Sequence, residues 1–228
     1  MATVSPTAIP VARSLTNPAR GTSVCAAYLL GTAANNRFNG STFHVGWNMA
    51  PNSFTAADLG TLKLLSVGRN VTSNGSQLRS LRMANRLLAA TPMTSIERMP
   101  SYLDHQNQLC SCHTDRRSCA WEVCDELWDK IGQVNQFGGL VVRSKILARK
   151  RLSLFPIYDS LTASRLGIGR GGRAFHSIWG TFQAVMQDPT VISNLKIIKA
   201  NLTRSSPTDP VVTDLTLLRV LDICLWMQ

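Results

Sequence analysis

The chain has 228 residues, 44% of them apolar and 16% charged, with 24 Lys and Arg against 13 Asp and Glu and a formal charge of +11. That apolar share excludes a disordered chain and suits one domain, or two small lobes sharing a cleft. No stretch approaches the roughly 20 apolar residues that span a bilayer. The opening residues lack the charged-then-apolar order of a secretory signal, so a cytoplasmic chain with no membrane partner is expected. A basic globular protein is drawn to polyanions, nucleic acid first.

Taken in chain order, the predicted elements are almost all helical. Residues 1–22 carry Pro6, Pro10 and Pro18 and read as a flexible N-terminus, with residues 23–228 as a single helical domain. Gly40 to Gly46 offers the one short strand. Thr55-Ala-Ala-Asp58 has the form of a capping box with Asp in place of Glu, and Leu59, Leu62 and Leu65 follow on one helical face. A helix over about Ser76–Ala90 turns Leu81, Leu87 and Leu88 inward. Its Arg79, Arg82 and Arg86 form a basic stripe, either solvated or tracking a phosphate backbone.

Pro92 to His113 reads as irregular or broken helix. Cys110, Cys112, Cys119 and Cys124 cluster around His113, but with one, six and four intervening residues they miss the paired spacing of zinc sites. They read as free thiols, with a metal site the alternative; no cofactor is expected. Helices are predicted from about Cys119 to Gln133, capped by Ser118, and from about Leu140 to Arg151, with a short one after Asp159 ending near Gly167. Asp125, Glu126 and Asp129 read as solvated helix charges. The string Gly167-Ile-Gly169-Arg-Gly171-Gly172 follows no strand and reads as a basic loop with Arg170 and Arg173. Phe175, Ile178, Trp179, Phe182, Val185 and Met186 keep helical spacing, and Pro189 opens a further helix. The last helix, about Val211–Met227, is apolar except for a stripe of Thr216, Arg219 and Asp222, read as an Arg219–Asp222 contact.

The informative stretch is Leu127 to Gly167. A helix ends in Val134-Asn135-Gln136-Phe137-Gly138-Gly139, and the next begins at once with Arg143, Lys145, Arg149, Lys150 and Arg151. A tight glycine turn at a helix start aims several N–H groups outward and binds a phosphate through backbone and dipole. Nearby cations strengthen that grip without reading sequence. An apolar run, Leu154-Phe-Pro-Ile-Tyr158, then ends in Asp159 at another helix start.

In these residues the chain resembles the helix-hairpin-helix DNA glycosylase superfamily, which has a Leu-Pro-Gly-Val-Gly-like hairpin, a helix, and a Pro-Val-Asp-Thr-like element. Here Val134 to Gly138, a helix, and Pro156-Ile157-Tyr158-Asp159-Ser160 stand in that order. Over most of its length, through Phe54-Thr-Ala-Ala-Asp58, Lys145-Ile-Leu-Ala-Arg-Lys150, Leu218-Arg-Val-Leu-Asp222 and Leu225-Trp226, it also resembles a bacterial domain family of unknown function. The glycosylase resemblance implies an all-α, two-lobed fold and a monomer that binds double-stranded DNA. It implies phosphate contacts around Gln136, Phe137, Gly138, Gly139, Arg143 and Lys145, with Asp159 catalytic and no metal in the reaction. A fixed carboxylate stabilises the positive charge that develops on the sugar as a base–sugar bond breaks, and it orients a water. The flipped base needs a pocket, for which Tyr158 is the nearest aromatic, with Trp47 and Phe43 looser candidates.

Leu140 stands where lyase members carry a Schiff-base lysine, implying simple hydrolysis to an abasic site. The expected substrate is a damaged or modified base, in repair or in defence against modified viral DNA. A noncatalytic DNA-binding module, or a helical partner-binding protein of incidental charge, are the alternatives.

Overall fold

Among the residues that the computed structural model describes, 4–32, 38–65, 75–107, 119–134, 137–168 and 174–228, every regular element is a helix. In chain order they are α1 (Ala8–Leu15), α2 (Pro18–Leu30), α3 (Ala56–Leu62), α4 (Gly75–Arg82), α5 (Asn85–Ala90), α6 (Tyr102–Asn107), α7 (Cys119–Gly132), α8 (Leu140–Lys150), α9 (Ser160–Arg165), α10 (Ala174–Gln187), α11 (Pro189–Ser205), α12 (Pro210–Thr213) and α13 (Leu217–Met227). The all-α class expected from periodicity is what the chain adopts.

Four boundaries differ from expectation, the first being the helix expected over about Ser76–Ala90, which is broken at residues 83–84 into α4 and α5. The opening residues are structured: α1 buries Ala8 and Ala12, and Arg13 holds Asp188 through two bonds of 3.1 and 2.6 Å. The prolines there start helices rather than break them. Pro10 lies in the first turn of α1 and Pro18 at the start of α2, where no N–H partner is required, and Asn17 caps α2 from its side chain. Residues 39–48 form a 3-10 helix and consecutive turns, not a strand. Phe43 and Val45 donate to Gly40 and Thr42, and Gly46 has φ +66°, so the segment closes on itself. The predicted last helix is two: Asp209 caps α12 at 2.9 Å, and Thr216, read as part of a polar stripe, caps α13 by accepting from Arg219 N at 3.2 Å.

Packing gathers around Trp179 of α10, whose ring lies 5.3 Å from Trp121, 5.5 Å from Tyr102 and 5.2 Å from Phe155. Offset and edge-on aromatic pairs of this kind add to the burial of their area. Gln183, on the same helix, accepts from Tyr102 N at 2.7 Å and donates to Pro100 O at 2.8 Å, fixing the irregular stretch before α6. At the other end α2, α11 and α13 pack together. There Gly21 lets α2 approach α11 so closely that a Cβ would lie 2.4 Å from Ile198 Cδ1.

The basic end of α8 turns inward. Asp58 of the Thr55–Asp58 capping box meets Arg149 at 3.5 Å and is in direct contact with Lys150 Nζ. Arg149 also donates to Phe43 O at 2.6 Å and Val45 O at 2.9 Å. Arg151 is 2% exposed and donates to Pro51 O at 2.6 Å, Asn52 Oδ1 at 3.1 Å and Leu88 O. These cations were expected at a phosphate; they instead fasten residues 43–58 and α5 to α8.

Near them His44 is buried. Its Nε2 donates to Val211 O at 2.6 Å, leaving Nδ1 unpartnered. Desolvation first, then the charge of Arg219, lowers its pKa to about 4. Because the folded value lies below the ordinary 6.5, the unfolded chain binds the extra proton. The contribution is complete above about pH 6.5 and is lost as pH falls toward 4, on the order of 3 kcal/mol. Denaturant unfolding at pH 7 and pH 4 should therefore show wild type losing that much more than His44→Gln, which keeps a donor but does not titrate.

Candidate functional site

Asp159 is the N-cap of α9. It is extended at φ −146°, ψ 176°, and its Oδ1 accepts from Thr162 N at 2.8 Å. The cap follows from the residue type, since Asp satisfies the orphan N–H groups of a first helical turn. Gly167, in the left-handed region at φ +64°, ends the helix, with Ile168 N reaching back to Ala163 O at 2.8 Å. Among the described residues nothing bonds the second oxygen of Asp159. The residue is half-buried and borders a cavity of about 350 Å³.

Three aromatic rings from distant parts of the chain wall that cavity: Tyr28, Phe38 and Trp226. Tyr28 and Phe38 stack at 5.3 Å and 11°, and Trp226 meets both edge-on at 6.0 Å. Phe38 and Trp226 keep 41% and 42% of their surface exposed, so the aromatic wall reaches solvent. The backbone closes in at Gly40, where an added Cβ would lie 2.2 Å from the Tyr28 hydroxyl.

The polar wall is cationic and acidic together. Arg219 donates to Tyr28 Oη at 3.0 Å and Gly40 O at 3.4 Å, and its guanidinium sits 5.6 Å from the Tyr28 ring and 5.5 Å from Phe43. It turns to Tyr28, and no hydrogen bond or ion pair joins it to Asp222 among the described residues. Lys145 lines the same cavity and donates to Leu65 O at 2.9 Å. Burial lowers its pKa, and the carboxylate of Asp159 opposes the shift. Asp222 completes the wall, its Oδ2 accepting from Ile157 N at 3.3 Å.

Asp159 is placed by α8. Ser144, one turn into that helix, accepts from Tyr158 N at 3.1 Å and donates to Tyr158 O at 3.3 Å. The residue preceding the acid is thereby tied close to the start of α8. At that start Gly138 and Gly139 are exposed, Gly139 is the N-cap without a side-chain cap, and Arg143 N is the amide that returns to Gly139 O, at 3.1 Å. The N–H groups of residues 140–142 lie ahead of the first helical bond, as in any first turn. Arg143 seals the connection: it lies across Gly132, 5.1 Å from the Trp128 ring, and donates to Gly138 O at 2.7 Å and Phe137 O at 3.3 Å.

The predicted site residues thus divide. Asp159 faces a cavity, and Gly138 and Gly139 are exposed at a helix start. Gln136 lies outside the described residues. Phe137 is fully buried, an apolar anchor of the turn rather than a surface contact. Arg143 and Lys145 are committed to backbone carbonyls, so the expected direct phosphate contact from Lys145 is corrected to a place in the cavity wall. Tyr158 is 7% exposed and does not line the cavity; its backbone, through Ser144, is what positions the acid. Trp47 lines a different depression and Phe43 is core.

The aromatic wall and Asp222 were missed. The signal for Asp222 was present, since a carboxylate and a guanidinium on an otherwise apolar helix are buried charges that need a purpose.

Cys110, Cys112, His113, Ser118 and residues 169–173 lie outside the described residues. Cys124 is buried, and desolvation pushes its thiol up. Asp125 is engaged by Tyr102 Oη and His105 Nε2, both at 3.3 Å. No group of three or more potential metal ligands occurs among the described residues. No helix there is long and apolar enough to cross a membrane.

Fold and site define an all-α protein with an acid-bearing, aromatic-walled cavity beside a glycine-started helix. The chain belongs to a family of unknown function, DUF6308, whose model matches residues 22–228. No curated protein and no solved structure matches it.

Proposed function

We propose that this protein is a monofunctional DNA N-glycosylase that hydrolyses the bond between a modified or damaged base and its sugar. The observation that carries the reading is Asp159 at the edge of the roughly 350 Å³ aromatic-walled cavity, with one oxygen fixed by Thr162 N. On this reading α7 and α8 are the two helices of a helix-hairpin-helix element, and the cavity is the cleft between two lobes.

Amides of the Gly138–Gly139 turn take a backbone phosphate of double-stranded DNA. The exposed Arg79, Arg82 and Arg86 supply a general attraction that salt weakens. The base leaves the stack and rests against Phe38 and Trp226. Asp159 then faces the sugar, stabilises its developing positive charge and takes a proton from the attacking water. A cavity at the small end of the range for drug-sized ligands has room for a base with a substituent. Repair of damaged DNA and attack on modified viral DNA both fit that chemistry. Leu140 is apolar and Lys145 is bonded to Leu65 O, which favours water over a lysine as the nucleophile. The chain acts as a monomer in this scheme.

The test is direct. The purified protein is incubated with duplexes carrying a range of modified bases, modified viral genomes among them, and free base is sought by mass spectrometry. Release of a base with an alkali-labile abasic site is the expected outcome. Salt-sensitive DNA binding without release from any substrate would replace this reading with a noncatalytic DNA-binding module.

A further inference from the structure

A second carboxyl group lies in the cavity wall and is unused by the scheme above. Asp222, on α13, is 5% exposed. One of its oxygens, Oδ2, accepts from Ile157 N at 3.3 Å; the other, Oδ1, is buried and has no partner. A buried carboxylate oxygen without a donor is costly, whereas the protonated acid turns that oxygen into a donor.

No cation is bonded to it among the described residues. Arg219, one turn earlier on α13, is bonded to Tyr28 and Gly40, and Lys145 from α8 to Leu65 O. Arg165 of α9 donates to Leu225 O. From α2 come the Tyr28 hydroxyl and, beside Cys224, the Cys25 thiol. Asp159 adds a negative charge of its own. Burial raises the Asp222 pKa to about 8 and Asp159 adds to that, against the opposing pull of Arg219 and the Ile157 N–H. The acid therefore carries its proton at neutral pH, on the oxygen that lacks an N–H donor.

We infer that Asp222 is the proton donor to the departing base, and that the site is accordingly built for neutral bases rather than for N-alkylated bases that already carry a positive charge. This rests on the glycosylase reading. As the C1′–N bond breaks, its electron pair goes to the base. The proton on Asp222 passes to a ring nitrogen or carbonyl oxygen of that base, which leaves neutral. Water adds to C1′ and gives its proton to Asp159, which releases it to solvent, and Asp222 regains a proton from solvent. One water is consumed, and a free base and a hydroxylated sugar are formed.

The experiment compares wild type, Asp222→Asn and Asp222→Glu in single turnovers on duplexes bearing uracil, hypoxanthine or 5-hydroxymethyluracil, and on a duplex bearing cationic 7-methylguanine. The Ile157 amide resonance is followed in parallel from pH 6 to 9.5. Wild type should release a neutral base, with the rate falling about tenfold per pH unit above pH 8 as the donor is lost. D222N should be slower on that base by on the order of 10²–10⁴-fold, with no such fall, and Glu should restore part of the rate. Any release of 7-methylguanine should slow far less than release of the neutral base. The Ile157 resonance should titrate near pH 8 in wild type and not in D222N. Asn is isosteric with the protonated acid and keeps an acceptor for Ile157 N–H, so the thermal midpoint should hold.

An Ile157 resonance that does not move above pH 7 overturns the inference. So does D222N releasing a neutral base at the wild-type rate, or wild type releasing only the cationic base; in those last two outcomes base release itself stands. Release of nothing by wild type removes the glycosylase reading and the inference with it.

Discussion

Asp159→Asn is expected to lower the rate of base release by on the order of 10²–10³-fold, the usual effect of removing one preorganised electrostatic group from a reacting centre. DNA affinity should hold or rise, because a negative charge leaves the neighbourhood of the phosphates. The substitution discriminates because the cap that Asp159 forms and the catalytic role proposed for it depend on different properties. As the N-cap of α9 it needs a side-chain oxygen for Thr162 N, and Asn caps a helix about as well as Asp. Facing a cationic sugar it needs the charge, which Asn lacks. A residue that only caps would leave Asp159→Asn silent in every assay, while Asp159→Ala would cost about 1 kcal/mol of stability. Single-turnover rates, a denaturation curve and fluorescence anisotropy with labelled duplex separate these cases. Unchanged release by the Asn variant would remove the central acid from the mechanism.

Asp58→Asn should be the most damaging conservative change away from the cavity, costing about 3–5 kcal/mol. Asp58 is the carboxylate that meets Arg149 and Lys150, whose side chains are 7% and 0% exposed. Without its charge two buried cations lose their counterion, although Lys150 keeps Ala50 O at 3.2 Å and Arg149 keeps the carbonyls of Phe43 and Val45. Against a typical total stability of 5–15 kcal/mol, that loss leaves a marginal fold. Guanidinium midpoints check it. Adding Lys150→Met to Asp58→Asn should recover part of the loss, since it removes one of the uncompensated charges. A loss below about 1 kcal/mol for Asp58→Asn alone would show that the carbonyls suffice.

Local chemistry was readable where one short segment determines the outcome. The Thr55–Asp58 capping box and the helices α7, α8, α10 and α11 follow from nearest-neighbour rules, and each forms close to where those rules put it. Asp159 at the start of a helix was legible for the same reason. What failed was whatever depends on the rest of the chain. Arg149, Lys150 and Arg151 look like a basic surface until Asp58 and the carbonyls of residues 43–52 are brought to them. Tyr158 is the aromatic nearest the acid in sequence, yet the rings at the cavity come from positions 28, 38 and 226. Residues 1–22 read as flexible because nothing local says that the helices holding Pro10 and Pro18 have α10, α11 and α13 to pack on.

The bond from Arg219 to the Tyr28 hydroxyl joins residues 191 positions apart. On a ribosome working at 5–20 residues per second, about 10–40 s pass between the synthesis of one partner and the other. Through that interval Tyr28 and Phe38 are already made while the helix that closes over them does not exist. The nascent chain therefore carries an unfinished apolar face, which is a natural substrate for chaperones. It also has no assembled cavity, since that chamber forms only when α13 docks.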